Sequence, residues 1–329
     1  MKEPLLSLKD LKVSFFNNIG EIKVIRGVSF DLEKGEVLGI VGESGSGKSV
    51  TSMSIIRLLK GTGKITNGKI IFKGKNLLDR TEKEMMKIRG NDIAMIFQDP
   101  MTSLNPVFTV GHQISDVIRR HQRLGKNEAK NKAVEMLKLV GIPSPEERYN
   151  NYPHEFSGGM RQRAIIAMAL SCQPELLIAD EPTTALDVTI QAQILKLLMN
   201  LKKKTDTSII LITHDLGVVA NTCSRVIVMY GGLIMEEGTV DDIFYNPMHP
   251  YTKGLLQSLP KKSAEGKQRL IPIKGNPPDL SKTIEGCPFS PRCPYVMDVC
   301  KKQQPRYYMK NNRRAMCWLL DEGDKNNGE

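Results

Sequence analysis

Eight consecutive residues, Gly42, Glu43, Ser44, Gly45, Ser46, Gly47, Lys48 and Ser49, have the types and spacing that bind a polyphosphate. The glycines let the backbone turn tightly and aim successive N–H groups at phosphate oxygens. Lys48 is placed to reach the β- and γ-phosphates and Ser49 to hold Mg²⁺. Val50 begins a following apolar-spaced helix, whose N-terminus adds favourable dipole charge. The competing reading is a glycine-rich turn with a chance lysine.

Three further sets of polar residues end buried-type apolar runs. Asp180 and Glu181 follow Leu176–Ala179, His214 follows Ser208–Thr213, and Gln98 follows Ile93–Phe97. Strand ends at the carboxyl edge of an α/β sheet are where ligands sit. Asp180 can hold Mg²⁺ through water, with Ser49 and Gln98 as further ligands. Glu181 suits the general base that orients an attacking water, because phosphoryl transfer asks the protein chiefly for positioning and charge stabilisation. His214 and Gln98 are neutral groups able to sense a γ-phosphate or Mg²⁺ and relax after hydrolysis. The plainer alternatives are helix caps, since Pro182 follows the acids and Asp215 follows His214.

Ser157, Gly158 and Gly159 open an expected helix over 160–171 and form a second anion site. One nucleotide cannot easily use both anion sites of a single chain. The economical inference is a head-to-tail pair in which each Ser-Gly-Gly loop covers the partner's ATP.

These residues need an α/β core. Val37–Val41 reads as a buried parallel strand leading into the phosphate loop, with an expected helix over 50–60 after it. Residues 5–34 and 64–73 alternate apolar and polar positions, as an antiparallel subdomain does. From about 99 to 162, Pro100, Pro106, Pro143 and Pro145 punctuate helical stretches, one with Ala129, Ala133, Met136, Leu137 and Val140 on a single face. Gly231 and Gly232 precede a hairpin-like run, Leu233–Gly238. The ATPase core is expected to end near 258.

The chain has 329 residues, 40% of them hydrophobic, enough for a large core and more than one domain. No run approaches the ~20 apolar residues of a membrane helix, and the first ten residues lack the apolar core of a secretory signal, so a cytoplasmic location is expected. The formal net charge is +11, and residues 259–329 carry 14 Lys and Arg against 8 Asp and Glu. Such a surplus suits nucleic acid, anionic lipid or merely a solvated face, and no aromatic-interleaved basic motif singles out the first.

With these motifs in this order, residues 1–258 resemble the ATP-binding-cassette family: phosphate loop, Gln98, Phe156–Met160 signature, Asp180–Glu181, the loop from Thr184 to Asp187, and His214. The resemblance implies a P-loop NTPase core with an antiparallel β subdomain and a helical subdomain. It assigns Asp187 to the nucleotide site and places an adenine-stacking aromatic at Phe15, with Phe16 beside it and a core role the competing reading. Phe156 and Met160 stand where the commonest family form has leucine and glutamine. In family members the helical lobe receives a short helix from the membrane-embedded subunit.

The segment 246–256 resembles the start of the C-terminal extension of ATPase subunits of oligopeptide and dipeptide importers, a subfamily that includes nickel and some sugar carriers, and that extension, with its cysteines, is expected over 259–329. The resemblance implies two transmembrane permease subunits, a second cassette subunit with a paralogue preferred over self, an extracytoplasmic binding protein, and a peripheral place on the cytoplasmic membrane face. No nucleic-acid partner is expected.

Cys287, Cys293, Cys300 and Cys317 are spaced C-x5-C-x6-C-x16-C, and the first two precede proline. In a reducing compartment thiolate metal ligation is the leading account of such a quartet. The C-x2-C zinc knuckle is absent, whereas cysteine before proline occurs in cluster-binding runs. Zinc and an iron–sulfur cluster both stay open on the residues. Subfamily members with the quartet resemble carriers of a four-iron, four-sulfur (4Fe-4S) cluster, which tips the expectation to a structural cluster. Arg313 and Arg314 occupy the region where the family has a histidine. Cys172 and Cys223 read as ordinary buried residues.

The leading expectation is thus an ATP-hydrolysing, energy-coupling subunit of a peptide-type importer. The alternatives are a soluble cassette ATPase acting on nucleic acid or ribosomes and an ATP-binding scaffold without turnover. Nickel and glycosides are the other import substrates.

Overall fold

The computed structural model describes residues 3–18, 20–99, 103–184, 186–259 and 272–321. The expectations that rest on Pro100 and Ala185 lie outside the described residues. The strands are β1 (Leu6–Asn17), β2 (Gly20–Leu32), β3 (Val37–Val41), β4 (Gly63–Phe72), β5 (Lys75–Asn76), β6 (Ile93–Ile96), β7 (Leu176–Asp180), β8 (Ser208–Ile212), β9 (Arg225–Tyr230), β10 (Leu233–Thr239), β11 (Tyr308–Lys310) and β12 (Arg313–Ala315). The chain divides into two compact units, Met1–Leu5 with Leu32–Val37 and Asn76–Ile212, and Leu6–Asp31 with Leu38–Lys75 and Thr213–Glu329.

In the first unit β6, β7 and β8 run parallel, with Ile93 opposite Leu176 and Leu176 opposite Ser208. Every residue of β7 and β8 is buried, as the unbroken apolar runs demand of strands covered on both faces. Helices Val110–Gln122 and Lys126–Leu139 lie within the stretch expected to be helical, and helix Gly158–Leu170 follows. Thr109 caps the first of these by accepting the His112 N–H at 3.3 Å. Ala129, Ala133, Met136, Leu137 and Val140 are all buried, so the apolar face read from spacing is the packed face.

The second unit holds the antiparallel sheet, β1 against β4, with Leu6 opposite Phe72 and β2 on the other side of β1. It also holds β3 parallel to β9, with Leu38 opposite Arg225, and β10 antiparallel to β9 through the Gly231-Gly232 turn. The tail is more regular than a loose extension. Asn311 and Asn312, with φ of 49° and 59°, turn β11 into β12, and β12 pairs with β10. Two consecutive left-handed residues suit the tight hairpin whose twist matches its strands. Arg314 donates to Glu237 and Arg313 to the Asn246 carbonyl, so these two arginines anchor the added strand. Cys287, Phe289, Cys300 and Met316 share one buried cluster with Val41, Val228 and Tyr251.

Two helix boundaries differ from expectation. The helix after the phosphate loop spans Lys48–Ile55 and stops well before Lys60. Arg57 takes a left-handed φ of 54°, its N–H bonds the Ser54 carbonyl at 3.1 Å, and the Leu58 N–H bonds the Met53 carbonyl at 2.9 Å. That is a Schellman stop with arginine where glycine is usual, so no composition signal marks it. The signature helix starts two residues early, at Gly158, and ends at Leu170.

Candidate functional site

The phosphate loop of the second unit is shaped by backbone that only glycine tolerates. Gly42 has φ 150°, and a Cβ there would stand 2.2 Å from the Met229 carbonyl oxygen. Gly47, with φ 102°, is the left-handed residue that admits the chain into the helix beginning at Lys48. The buried Lys48 ammonium turns back over the loop and donates to the carbonyls of Gly42 at 2.8 Å and Glu43 at 3.1 Å. The Ser46 hydroxyl is buried with no hydrogen-bond partner among the described residues, a cost that a bound anion or water would relieve. Ser44 and Gly45 are exposed, while Ser49 and Val50 are half-buried.

His214 is exposed just beyond β8. Asp215 caps the next helix, its carboxylate accepting the Gly217 N–H at 2.8 Å and the Val218 N–H at 3.2 Å. Capping is therefore the role of Asp215. Gly42, Glu43 and His214 line one open cavity with Leu216, Leu255 and Ile273. Phe15 is half-buried, with its ring where a Cβ on Gly63 would meet it at 2.8 Å. Phe16 is 40% exposed beneath the Lys64 ammonium.

In the first unit Asp180 is buried at the end of β7. Glu181 follows with a left-handed φ of 47°, and its N–H is held by the Ile212 carbonyl at 2.9 Å. A non-glycine residue in that region is strained, and strain of this kind collects where a side chain must be aimed. Its carboxylate accepts the Gln98 amide at 3.2 Å and the Thr184 hydroxyl at 2.9 Å. Neither acid caps the following helix. Asp187 does so, accepting the Ile190 N–H at 2.9 Å. Ser157 caps the signature helix by accepting the Met160 N–H at 3.3 Å, with Gly158 exposed beside it.

The four tail cysteines line one small cavity with His249, Phe289 and Trp318. Burial pushes the Cys287 thiol up to about 12 and the Cys317 thiol to about 11. Among the described residues, no three His, Cys, Asp or Glu side chains gather tightly enough to hold a single metal ion. The expectation of zinc or iron–sulfur is therefore not carried by any such group. Cys172 and Cys223 are half-buried rather than fully buried.

Sequence reasoning missed the groups that fasten the tail to the phosphate loop. Arg292 pairs with Glu43, and the Tyr251 hydroxyl accepts the Glu43 N–H at 2.9 Å. The one available signal was Arg292 standing next to Cys293.

A family profile described as ABC transporter matches residues 25–184, and one described as oligopeptide/dipeptide transporter, C-terminal region, matches residues 235–300. The chain is 57% identical over 318 residues to the oligopeptide transport ATP-binding protein OppD of Bacillus subtilis, covering 96% of this chain and 89% of that protein. It is 56% identical over 322 residues to the dipeptide transport ATP-binding protein DppD of the same organism, covering 97% and 96%. OppD of Escherichia coli is 50% identical over 316 residues, covering 96% and 93%. Among solved structures, a dimeric ATP-binding cassette in a post-hydrolysis state with ADP and Pi superposes at TM-score 0.65 and 28% identity, covering 71% of this chain and 98% of that one.

Proposed function

Because the chain belongs to the ABC transporter family of ATPases, we propose that it is the ATP-hydrolysing subunit of an importer for dipeptides or oligopeptides. The observation that carries the reading is the phosphate loop. Gly42 and Gly47 take conformations closed to other residues, Lys48 lies folded over the loop, and a buried Ser46 hydroxyl waits for a partner.

On this reading the loop residues Gly42 to Val50 bind the ATP phosphates and Phe15 stacks the adenine. Ser49, Gln98 and Asp180 hold Mg²⁺, Glu181 serves as the base for the attacking water, and His214 contacts the γ-phosphate. Ser157, Gly158, Gly159 and Asp187 serve the nucleotide of a partner cassette, with the helix N-terminus at Gly158 as the anion site. The dimeric state of the matched cassette supports that pairing. A paralogue is the preferred partner. Two permease subunits and an extracytoplasmic binding protein complete the importer, with this chain on the cytoplasmic membrane face. No helix among the described residues is long and apolar enough to cross a membrane itself.

For the tail, the reading is a four-iron, four-sulfur cluster held by Cys287, Cys293, Cys300 and Cys317, with zinc the alternative the same thiols would admit. What supports it is the cavity that all four thiols share, walled by Phe289 and Trp318, and the subfamily resemblance. Such a cluster would staple the tail and take no part in hydrolysis. Anaerobic purification with iron, acid-labile sulfide and zinc counted per chain, repeated on C293S, tests it. Near four iron and four sulfide, lost in C293S, is the expected result, and stoichiometric zinc or no metal would refute it.

The central reading is tested by reconstituting the chain with its permeases in vesicles. ATP hydrolysis that rises when peptide-loaded binding protein is added is expected, and hydrolysis indifferent to peptide would refute peptide import while leaving the ATPase.

A further inference from the structure

The second residue of the phosphate loop is an acid, Glu43, and an acid inside a polyphosphate cradle works against its ligand. A carboxylate this close to incoming phosphates repels them unless a cation holds and neutralises it. The cation comes from the tail, 249 residues later in the chain. Arg292 Nη1 and Nη2 make a fork on the two Glu43 oxygens, at 2.5 and 3.0 Å. The remaining donors are also used. Nη1 reaches the Tyr230 hydroxyl at 3.1 Å, Nη2 the Ile273 carbonyl at 3.1 Å, and Nε the Lys274 carbonyl at 3.0 Å. All five guanidinium N–H groups therefore have an acceptor, and the side chain is 5% exposed. Lysine has three donors and no fork, so it cannot replace this arrangement.

The same carboxylate's backbone is pinned as well. The Glu43 N–H donates to Tyr251, whose ring packs 4.5 Å from that of Tyr230, and the Glu43 carbonyl receives Lys48. Arg292, Tyr230 and Tyr251 thus close a loop of contacts around Glu43, and Glu43 helps set where the Lys48 ammonium rests. The neighbouring residue Cys293 faces the cavity of the four cysteines. The tail module and the phosphate loop are joined through one side chain.

We infer that Arg292 is a positioning residue for the ATP reaction: it neutralises and orients Glu43, and through it the tail sets the affinity of the phosphate loop for nucleotide. The inference rests on the reading that this loop takes the phosphates of ATP. It acts on binding, so its loss falls on KM rather than kcat. It also makes an unusual demand. Removing Arg292 should hurt chiefly because it leaves an unpaired carboxylate behind, so removing that carboxylate too should relieve the damage.

The test is binding of a fluorescent ATP analogue with Mg²⁺, and ATP turnover, by the full chain and its variants. For R292Q we expect about tenfold weaker binding and a matching rise in KM, with kcat within about twofold, the scale of one half-buried charge left unpaired. E43Q/R292Q should bind more tightly than R292Q alone. R314Q, which loosens the tail at Glu237 away from the loop, should leave affinity unchanged. R292Q indistinguishable from the parent, R314Q with the same loss, or a double variant no better than R292Q would each overturn the inference. Should R292Q not fold, R292K keeps the charge without the fork, and unchanged affinity in R292K would overturn it equally. A parent chain that binds no nucleotide would overturn the ATP reading and this inference with it, whereas a binding parent with an unaffected R292Q overturns this inference alone.

Discussion

The Gln98 side-chain amide donates to the Glu181 carboxylate across 3.2 Å, linking a residue two past the end of β6 to the residue after β7. That contact and the Thr184 hydroxyl both fall on one oxygen of the Glu181 carboxylate and hold the side chain at the strand end. If Glu181 is the base, E181Q should lower kcat at least about 100-fold while nucleotide affinity stays within about threefold, because a neutral amide keeps the shape and loses the proton acceptor. Turnover and binding measured on the same preparation decide it, and a turnover near the parent's would move the base elsewhere.

Gly42 offers a test of the phosphate loop that depends on backbone rather than side chain. G42A puts a methyl group 2.2 Å from the Met229 carbonyl at a φ of 150°, so β9 or the loop must move. We expect a loss of more than about 2 kcal/mol by chemical denaturation and no measurable nucleotide binding. A G42A chain with parental affinity would mean that the loop does not hold phosphate in this conformation.

Much of this arrangement was legible in residue order. Unbroken apolar runs announced β3, β7 and β8, because strands covered on both faces have no polar side to show. The polar residues at or just beyond the ends of β7 and β8 are the sequence-read Asp180, Glu181 and His214. What stayed hidden depends on contacts between residues far apart in sequence. The Arg57 stop of the phosphate-loop helix carries no glycine, and the Glu43–Arg292 pair joins segments with no shared pattern. The tail hairpin was missed because β11 and β12 are three residues each, too short for a period to appear, although Asn311-Asn312 is a turn signal in hindsight.

Ser157 lets structural and functional effects be separated. Its hydroxyl caps the signature helix, so S157A should cost about 1 kcal/mol of stability, visible as a small drop in Tm. If the same loop covers a partner's ATP, S157A should also lower turnover in the assembled pair by more than that loss explains, while nucleotide affinity of the isolated chain is unaffected. Turnover that follows the stability loss alone would confine Ser157 to capping.

His249 predicts an acid-sensitive tail. It is buried, its Nδ1 accepts the Tyr251 N–H at 3.0 Å, and its ring meets Phe289 edge-on at 5.9 Å. Burial pushes its pKa down to about 3, against a smaller upward pull from the Met316 carbonyl. Protonating Nδ1 would also set two donors face to face. The unfolded imidazole takes its proton near 6.5 and the folded one only near 3, so within that window the unfolded chain binds more protons. Stability therefore falls as pH falls, by roughly 1.4 kcal/mol per unit from this group. Glu236, whose carboxylate accepts the Met248 and His249 N–H groups and whose pKa is raised by burial, acts in the opposite sense. Comparing the parent with H249Q cancels that contribution to first order. H249Q should be less stable at neutral pH, having lost its cap, yet show a shallower decline between pH 6 and 4 in urea denaturation. Equal slopes in the two proteins would mean that His249 titrates alike in the folded and unfolded chain.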